Sequence, residues 1–287
     1  PSGNTNSLPR RRPMSTRSYD DFFKQATGLG TPHAYQRELA LLETPPAVLQ
    51  VPTGAGKTNA LILSWLYQRR VLGRGPRRLV YALPMRVLVE QTETVAREIR
   101  ARLGLDDEEL GIRVLMGGVE PDLVDWRRFP ERDQILIGTI DMLLSRALNR
   151  GYGESRFAWP VSFGLLNADC RWVFDEVQLM GPARATSAQL DGLRRALGTA
   201  LPCETIWASA TVDDAALRTI DRPELGPVLT LPEEDRAGNL ARSLNAVKRL
   251  VRIEVPAKPG DYTKAVTRAV TEHHRPGTRT LVVVNTV

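Results

Sequence analysis

The chain has 287 residues, of which 42% are hydrophobic and 25% charged, enough for about two domains with a buried core. It has no run of about 18 or more apolar residues, and its N-terminal arginines precede no apolar stretch, so we expect neither a membrane span nor a signal peptide. Two cysteines exclude a disulfide framework and a four-cysteine zinc site, and a cytoplasmic location is the expectation.

The formal net charge of +6 is unevenly distributed along the chain. Residues 1–18 contain four arginines and no acid, and residues 248–287 contain eight basic and three acidic residues. The interval 19–247 contains 27 basic and 30 acidic residues. Nucleic-acid binding by this central interval would therefore depend on local backbone groups and a few arginines, because its bulk charge is slightly negative.

Short apolar runs alternate with longer helical patterns after a Ser-, Asn-, Pro- and Arg-rich segment, 1–18, that predicts a disordered arm. The predicted strands are 47–51, 79–83, 112–116, 134–137, 172–174 and 205–208. The predicted helices are 36–43, 57–71, 87–103, 141–149, 184–197 and 213–220. This alternation predicts an α/β domain over 19–220, with a parallel sheet covered by helices on both faces.

The C-terminal part has a different pattern. Residues 221–245 are rich in proline and glycine and indicate a linker. The segments 250–255, 262–274 and 280–284 then predict a strand, a helix and a strand. A single βαβ unit is too small to fold alone, so we expect 246–287 to begin a second, incomplete domain.

A glycine-rich loop follows the first predicted strand and opens a helix. It reads Val51-Pro52-Thr53-Gly54-Ala55-Gly56-Lys57-Thr58. Gly54 and Gly56 allow successive N–H groups to face one anion at the positive end of the helix dipole. Lys57 can reach the β- and γ-phosphates, and the Thr58 hydroxyl can bind Mg²⁺. The loop predicts an ATP site formed by Thr53, Gly54, Ala55, Gly56, Lys57 and Thr58.

Two carboxylates end the predicted strand 172–174, about 118 residues after Lys57. Asp175 and Glu176 should project at the carboxyl edge of the sheet, beside the glycine-rich loop. Asp175 is expected to hold Mg²⁺, and Glu176 to polarise the attacking water. Lys57, Asp175 and Glu176 are therefore the candidate catalytic residues.

In chain order, these motifs and several others resemble the core of a superfamily 2 helicase over residues 30–287. The segment 32–36 resembles the glutamine motif, which implies that Gln36 pairs with adenine. Residues 83–91 and 138–141 resemble motifs Ia and Ib, Gly117-Gly118 the double-glycine turn, and 280–285 motif IV. The resemblance implies a RecA-like fold that grips nucleic acid through Pro84, Arg86, Gly117, Gly118, Thr139 and Asp141.

Ser209-Ala210-Thr211 is the motif III tripeptide, which links the nucleotide site to the strand-binding face in this superfamily. The box Asp-Glu-Val-Gln, residues 175–178, with Leu-Met-Gly after it, resembles a less common branch of the CRISPR-associated type I helicase-nucleases. Gln178, Ser209 and Thr211 are then the expected coupling residues. Gln178 can donate and accept hydrogen bonds, but it cannot switch charge as histidine does.

That branch implies single-stranded DNA as substrate, an RNA-guided surveillance complex as partner, and an HD nuclease domain in the same or another chain. The sequence has only three histidines, His33, His273 and His274, and no His-Asp dipeptide, so no nuclease is expected within it. We expect weak ATP binding and negligible turnover from residues 1–287 alone. The alternatives are another superfamily 2 DNA-repair or RNA helicase, or a non-catalytic nucleotide-binding domain.

Several other residues have two interpretations. The arginines near motifs Ia and Ib could contact phosphates or form ion pairs; they are Arg86, Arg146, Arg150 and Arg156. Trp126 and Trp159 could stack on bases, although packing is favoured. Cys170 and Cys203 are expected to be buried.

Overall fold

The computed structural model describes residues 18–118, 125–211, 214–238, 240–245, 259–277 and 280–282. The chain divides into two compact units, Pro1–Leu244 and Asn245–Val287. The predicted arm therefore lies outside the described residues, except for Ser18.

The first unit is built on parallel strands. They are β1 Val48–Gln50, β2 Arg78–Leu83, β3 Gly111–Leu115, β4 Gln134–Thr139, β5 Cys170–Asp175, β6 Cys203–Ser209 and β7 Val228–Thr230. In the described part of the chain they form one seven-stranded sheet of order β3-β4-β2-β5-β6-β1-β7. Every pairing is parallel, which confirms the predicted sheet.

Helices connect the strands and cover the sheet. They are α1 Tyr19–Thr27, α2 Ala34–Leu41, α3 Lys57–Arg70, α4 Arg86–Arg102, α5 Ile140–Ala147, α6 Trp159–Leu166, α7 Ala183–Leu197, α8 Glu233–Ala237 and α9 Ala241–Leu244. Short 3-10 turns occur at Trp126–Arg128, Val177–Leu179 and Asp214–Leu217.

The sheet has a hydrophobic core on each face. Leu79, Tyr81 and Leu83 of β2 point into the first core, which is covered by α1 to α4. Val80 and Ala82 point into the second core, on the opposite face of the sheet, which is covered by α5, α6 and α7. Side chains alternate along a strand, so a strand that is buried on both faces has an unbroken apolar sequence.

Helices α1 and α6 were not predicted from the sequence. In α1, Tyr19, Phe22, Phe23 and Ala26 are buried, and the Ser18 side chain accepts a hydrogen bond from the Asp21 N–H at 3.2 Å. This spacing of three to four residues and the N-cap serine were the available signals. In α6, Leu166 is buried in the second core and Leu165 packs against it, whereas Val161 and Phe163 are exposed.

Two predictions for residues 213–245 differ from the structure. The predicted helix 213–220 contains only the turn Asp214–Leu217 among its described residues. The predicted linker 221–245 contains β7, α8 and α9, and Val228 pairs with Val48 at the edge of the sheet. Leu229 and Leu231 are buried in the first core, so this proline-containing segment folds as an edge strand. The exact domain boundaries stay a prediction.

In the second unit, α10 spans Pro259–His273 and corresponds to the predicted helix 262–274. The predicted strand 250–255 lies outside the described residues. Of the predicted strand 280–284 and the motif IV segment 280–285, only 280–282 are described, and they form no regular secondary structure. Within the described ranges, no helix is long and apolar enough to cross a membrane.

Candidate nucleotide site and nucleic-acid face

The candidate ATP site lies at the carboxyl ends of three neighbouring strands. The glycine-rich loop follows β1, Asp175 ends β5, and Ser209 ends β6, which lies between β5 and β1. Because all three strands are parallel, their carboxyl ends share one edge of the sheet. Residues that are more than 100 positions apart in the sequence are thereby brought together.

The glycine-rich loop has the backbone that the sequence predicts. Gly54 and Gly56 have φ angles of +82° and +79°, in the region that side chains disfavour. A Cβ atom on Gly56 would also lie 2.9 Å from Nε2 of Gln36. Gly56 is the N-cap of α3, so the loop turns directly into a helix N-terminus that favours anions.

Lys57 connects the glycine-rich loop to the acidic box, the Asp-Glu-Val-Gln segment of residues 175–178. Its buried ammonium donates to the Val51 carbonyl at 3.3 Å and pairs with Oε1 of Glu176 at 3.6 Å. The positive charge is thus held between the loop and the candidate water-polarising carboxylate. Thr58 follows in the first turn of α3 and is half-buried.

Asp175 is a buried carboxylate with two internal donors. The Tyr81 hydroxyl donates to Oδ2 at 2.7 Å, and the Glu176 N–H donates to Oδ1 at 2.9 Å. Burial raises the pKa of Asp175, while the Tyr81 hydrogen bond and Lys57 oppose the rise. Burial and the Asp175 charge raise the pKa of Tyr81 well above its ordinary value, so Tyr81 stays a proton donor. Tyr81 was not predicted as a site residue, because it is a lone tyrosine among the apolar residues 79–83 of β2.

The predicted coupling residues form a continuous chain of contacts. The Gln178 amide nitrogen donates to Oε2 of Glu176, and Oε1 of Gln178 accepts from the Ser209 hydroxyl. Ser209 Oγ also lies 2.6 Å from the Thr211 carbonyl oxygen and accepts from the Thr211 N–H at 3.2 Å. One amide that donates at one end and accepts at the other therefore connects the acidic box to motif III.

The Gln36 side chain is hydrogen-bonded within the domain, and its pairing with adenine stays a prediction. Its side chain is buried, its oxygen accepts from the His33 N–H at 2.9 Å, and its nitrogen donates to the Gly56 carbonyl at 3.2 Å. The amide therefore contacts the glycine-rich loop, and pairing with adenine would require these bonds to open. A contact between the side chains of α2 and the loop was not part of the sequence prediction.

The residues present fit ATP and Mg²⁺. The loop supplies glycines with positive φ and a buried lysine, and a Cβ on Gly54 would meet no atom within 4 Å, so the loop is open at that point. Thr58 and Asp175 supply the hard oxygen atoms that Mg²⁺ prefers, and Mg²⁺ needs only one or two protein ligands when phosphates and water complete its shell. Assignment of these residues to ATP and Mg²⁺ stays a prediction.

Comparison with known proteins identifies the family. The sequence pattern of DEAD/DEAH box helicases matches residues 33–220, about two thirds of the chain. The chain belongs to the DEAD/DEAH box helicase family. Its sheet is the RecA-like helicase fold, as the sequence predicts. No curated protein matches the chain significantly.

Solved helicase structures are similar to this helicase domain in fold. The DUF1998 helicase MrfA bound to DNA and AMPPNP is 18% identical, with a TM-score of 0.51 over 78% of this chain and 30% of that one. Mss116p bound to ssRNA and AMP-PNP is 17% identical, with a TM-score of 0.50 over 78% and 46%. At these identities the similarity concerns the fold alone. This chain spans less than half the length of either structure.

The predicted nucleic-acid residues of the helicase domain lie at the same sheet edge, beyond β2, β4 and β3. Arg86 is exposed at the start of α4, after the half-buried Pro84. A Cβ atom on Gly118, whose φ is +74°, would lie 3.8 Å from Nη2 of Arg86, so motif Ia and the double-glycine turn are adjacent. Gly117 is exposed as well.

The motif Ib residues lie at the end of β4, a strand that pairs with both β2 and β3. Thr139 is the last residue of β4 and is half-buried, and Asp141 is exposed in the first turn of α5. Parallel pairing therefore places motifs Ia and Ib and the double-glycine turn along one rim. Their contact with a strand stays a prediction.

The arginines near motifs Ia and Ib are in different environments, so ion pairing fits one of them and phosphate contact fits the others. Arg146 is buried, donates to the Met142 carbonyl at 2.8 Å and lies 3.4 Å from a Glu154 carboxylate oxygen, so its role is structural. Arg150 and Arg156 are exposed. These two arginines and Arg86 thus have the exposure that phosphate contact requires.

The two tryptophans of this region are at least half-buried. Trp126 is buried in the second core, and Trp159 is half-buried with its indole N–H donating to the Gly151 and Glu154 carbonyls. Both tryptophans therefore pack, as the favoured interpretation has it. Cys170 is buried as expected, whereas Cys203 is half-buried.

Two aromatic residues of the described loop between α5 and α6 are exposed, Tyr152 at 62% and Phe157 at 94%. A cavity of 430 Å³ is lined by both Tyr152 and the double-glycine turn. Neither Tyr152 nor Phe157 was predicted as a site residue, because exposure of a loop aromatic has no local sequence pattern.

Proposed function

We propose that this domain binds and hydrolyses MgATP and couples that cycle to movement along single-stranded nucleic acid. The chain of contacts from Glu176 through Gln178 to Ser209 carries the proposal. It begins at the carboxylate that pairs with Lys57 and ends in the motif that leads away from the nucleotide site. A domain that only stored nucleotide would not need this connection.

Each residue has a distinct role in the proposed reaction. Lys57 and the loop N–H groups bind the phosphates, and Thr58 and Asp175 hold the metal ion. Glu176 orients the water that attacks the γ-phosphate, and Lys57 fixes the position of its carboxylate. Bound MgATP supplies the phosphoanhydride bond and the charge neutralisation at its phosphates. Because Gln178 contacts Glu176, a shift of this carboxylate on binding would reach Ser209 and Thr211.

We further propose that the strand is DNA and that the domain serves CRISPR type I interference. The support is the Asp-Glu-Val-Gln box with its Leu-Met-Gly continuation, residues 175–181. The expected partners are an RNA-guided surveillance complex and an HD nuclease domain in the same or another chain. An RNA helicase or another DNA-repair helicase is the competing assignment.

The first experiment measures nucleotide binding by titration calorimetry. The chain should bind MgATP weakly, and Lys57→Ala should remove binding, because the phosphates lose a buried cation. Lys24→Ala, on the surface of α1, is the matched control and should bind as the native chain does. Equal affinity of the Lys57→Ala variant would refute the site.

The second experiment compares single-stranded DNA and RNA of the same sequence and length, with and without AMPPNP. A DNA helicase should bind DNA more tightly, and the nucleotide should change that affinity. Preference for RNA would favour the RNA-helicase alternative. Nucleotide binding with no effect on either strand would favour a non-catalytic nucleotide-binding domain.

The CRISPR assignment needs its own test. The chain should bind a purified type I surveillance complex that holds its DNA target, and should not bind the same complex without target. Binding to neither form by a chain that binds MgATP and DNA would reject the CRISPR role and leave the helicase assignment intact.

A further inference from the structure

Asp235 of α8 contacts the start of α2, although the two are 200 residues apart in the sequence. Oδ1 accepts from the Ala34 N–H at 2.9 Å, and Oδ2 accepts from the Tyr35 N–H at 3.0 Å. His33 Nδ1 lies 3.7 Å from Oδ1. Asp235 is 7% exposed, so its carboxylate is committed to this helix end.

These contacts stabilise the first turn of α2. The first N–H groups of a helix have no carbonyl partner within the helix, and together they form the positive end of its dipole. The Asp235 carboxylate satisfies two of these donors with a full negative charge. Charge-assisted hydrogen bonds of this kind are stronger than neutral ones.

The same turn of α2 holds the glycine-rich loop. The Tyr35 hydroxyl donates to the Ala55 carbonyl at 2.6 Å, and the Gln36 amide donates to the Gly56 carbonyl at 3.2 Å. These two carbonyls directly precede Lys57. Tyr35 therefore donates one hydrogen bond to Asp235 through its backbone N–H and another to the loop through its hydroxyl.

We propose that Asp235 is a positioning residue for the phosphate-binding loop. Its carboxylate fixes the first turn of α2, and the side chains of that turn fix the carbonyls of Ala55 and Gly56. Because each peptide is planar and trans, the N–H groups of Gly56 and Lys57, which follow these two carbonyls, are directed away from α2. The effect on loop order depends on these contacts alone, and only the effect on nucleotide affinity rests on the proposed function.

Hydrogen exchange of the ligand-free protein tests the positioning directly. Asp235→Ala should raise amide exchange in peptides that cover 51–58 by about tenfold, and should leave the α7 peptide 183–197 unchanged. Ser18→Ala is the matched control, because it removes a cap from α1. It should leave the loop peptides unchanged. Unchanged loop exchange in Asp235→Ala, or an equal rise in α7, would overturn the proposal.

Asp235→Asn separates positioning from general loss of structure. Its oxygen can still accept one of the two N–H bonds, so loop exchange should lie between those of the native and alanine proteins. It also serves as the test if Asp235→Ala does not fold. Loop exchange in Asp235→Asn equal to that of the native protein would contradict the proposed role of the second bond.

Nucleotide affinity gives the second readout. Asp235→Ala should weaken MgATP binding by about three- to tenfold, the range that corresponds to loss of a helix cap. In the Tyr35→Phe, Gln36→Ala background the same substitution should have little further effect, because the route to the loop is already cut. Full additivity would overturn the route through α2. Altered loop exchange in a protein that binds no MgATP would instead reject the proposed function and retain the positioning role.

Discussion

The buried hydroxyl of Tyr81 on β2 donates a hydrogen bond to Oδ2 of Asp175 at the end of β5, with an oxygen–oxygen distance of 2.7 Å. β2 and β5 are neighbouring parallel strands, so the backbone pairing between them holds Tyr81 and Asp175 next to each other. Asp175 is the expected Mg²⁺ ligand. A buried tyrosine thus determines how this carboxylate is oriented.

Tyr81→Phe should therefore weaken both the fold and the metal site. Loss of a donor to a buried charge costs about 1–3 kcal/mol. We expect that reduction in the free energy of unfolding, measured by urea denaturation, together with weaker Mg²⁺-dependent ATP binding and little change in Mg²⁺-free binding. Tyr152→Phe, at an exposed position, is the control. Native-like stability and Mg²⁺ dependence in Tyr81→Phe would show that the hydrogen bond is dispensable.

Gln178 should transmit the nucleotide state without controlling nucleotide binding. Gln178→Ala breaks the contacts to Glu176 and Ser209 and should leave MgATP affinity within about threefold of native, because the loss is that of one or two hydrogen bonds outside the phosphate loop. The change in single-strand affinity caused by AMPPNP should disappear. Gln189→Ala, on the exposed face of α7, should behave as the native protein does. A preserved nucleotide effect in Gln178→Ala would exclude the relay.

Gln178→His should make the coupling depend on pH. An imidazole can bridge Glu176 and Ser209, but its charge changes near pH 6.5. The nucleotide effect on strand affinity should then vary between pH 5.5 and 8 in the variant and stay constant in the native protein, measured by fluorescence anisotropy. A flat profile in Gln178→His would mean that the ring does not occupy the bridging position.

Arg86 should contact one phosphate of the bound strand. Arg86→Ala should weaken binding of every sequence equally and reduce the slope of log K against log salt by about 0.7, the value for one phosphate contact on a single strand. Arg97→Ala is a matched control on the same helix, because Arg97 is paired with Glu93 at 2.7 Å. An unchanged slope in Arg86→Ala would remove Arg86 from the binding face.

Asp107 provides a pH-dependent contribution to stability. Hydrogen bonds and charge from Arg113, and then Arg100, lower its pKa from 3.8 to about 2. A lowered pKa in the folded state stabilises the protein above the unfolded-state pKa, and the benefit falls as pH decreases from about 4 to 2. Since Asp107 is 44% exposed, we expect Asp107→Asn to cost only about 1 kcal/mol at neutral pH.

Urea denaturation at pH 7 and pH 3 tests this expectation, since the difference between the native protein and Asp107→Asn should shrink at the lower pH. Glu108→Gln is the control, because Glu108 is 79% exposed and its ion pair with Arg132 is long, at 3.6 Å. A difference that grows on acidification would contradict the assigned direction of the pKa shift.

Sequence patterns were sufficient for the main architecture because they are local. The apolar runs predicted six of the strands, and the glycines before Lys57 predicted a loop whose φ angles are positive in the structure. The edge strand β7 escaped prediction. Its three residues have no pattern of their own, and its identity as a strand depends on hydrogen bonds to β1.

The amino-acid sequence by itself determined the glycine-rich loop, the acidic box and their order, since each is a short run of residue types with a direct chemical meaning. Only the tertiary structure decided which side chains support them. Tyr81 reaches Asp175 from another strand, and Asp235 reaches α2 across 200 residues. Such contacts depend on strand pairing and helix packing, because the energy of a hydrogen bond depends on distance in space and not on separation in sequence.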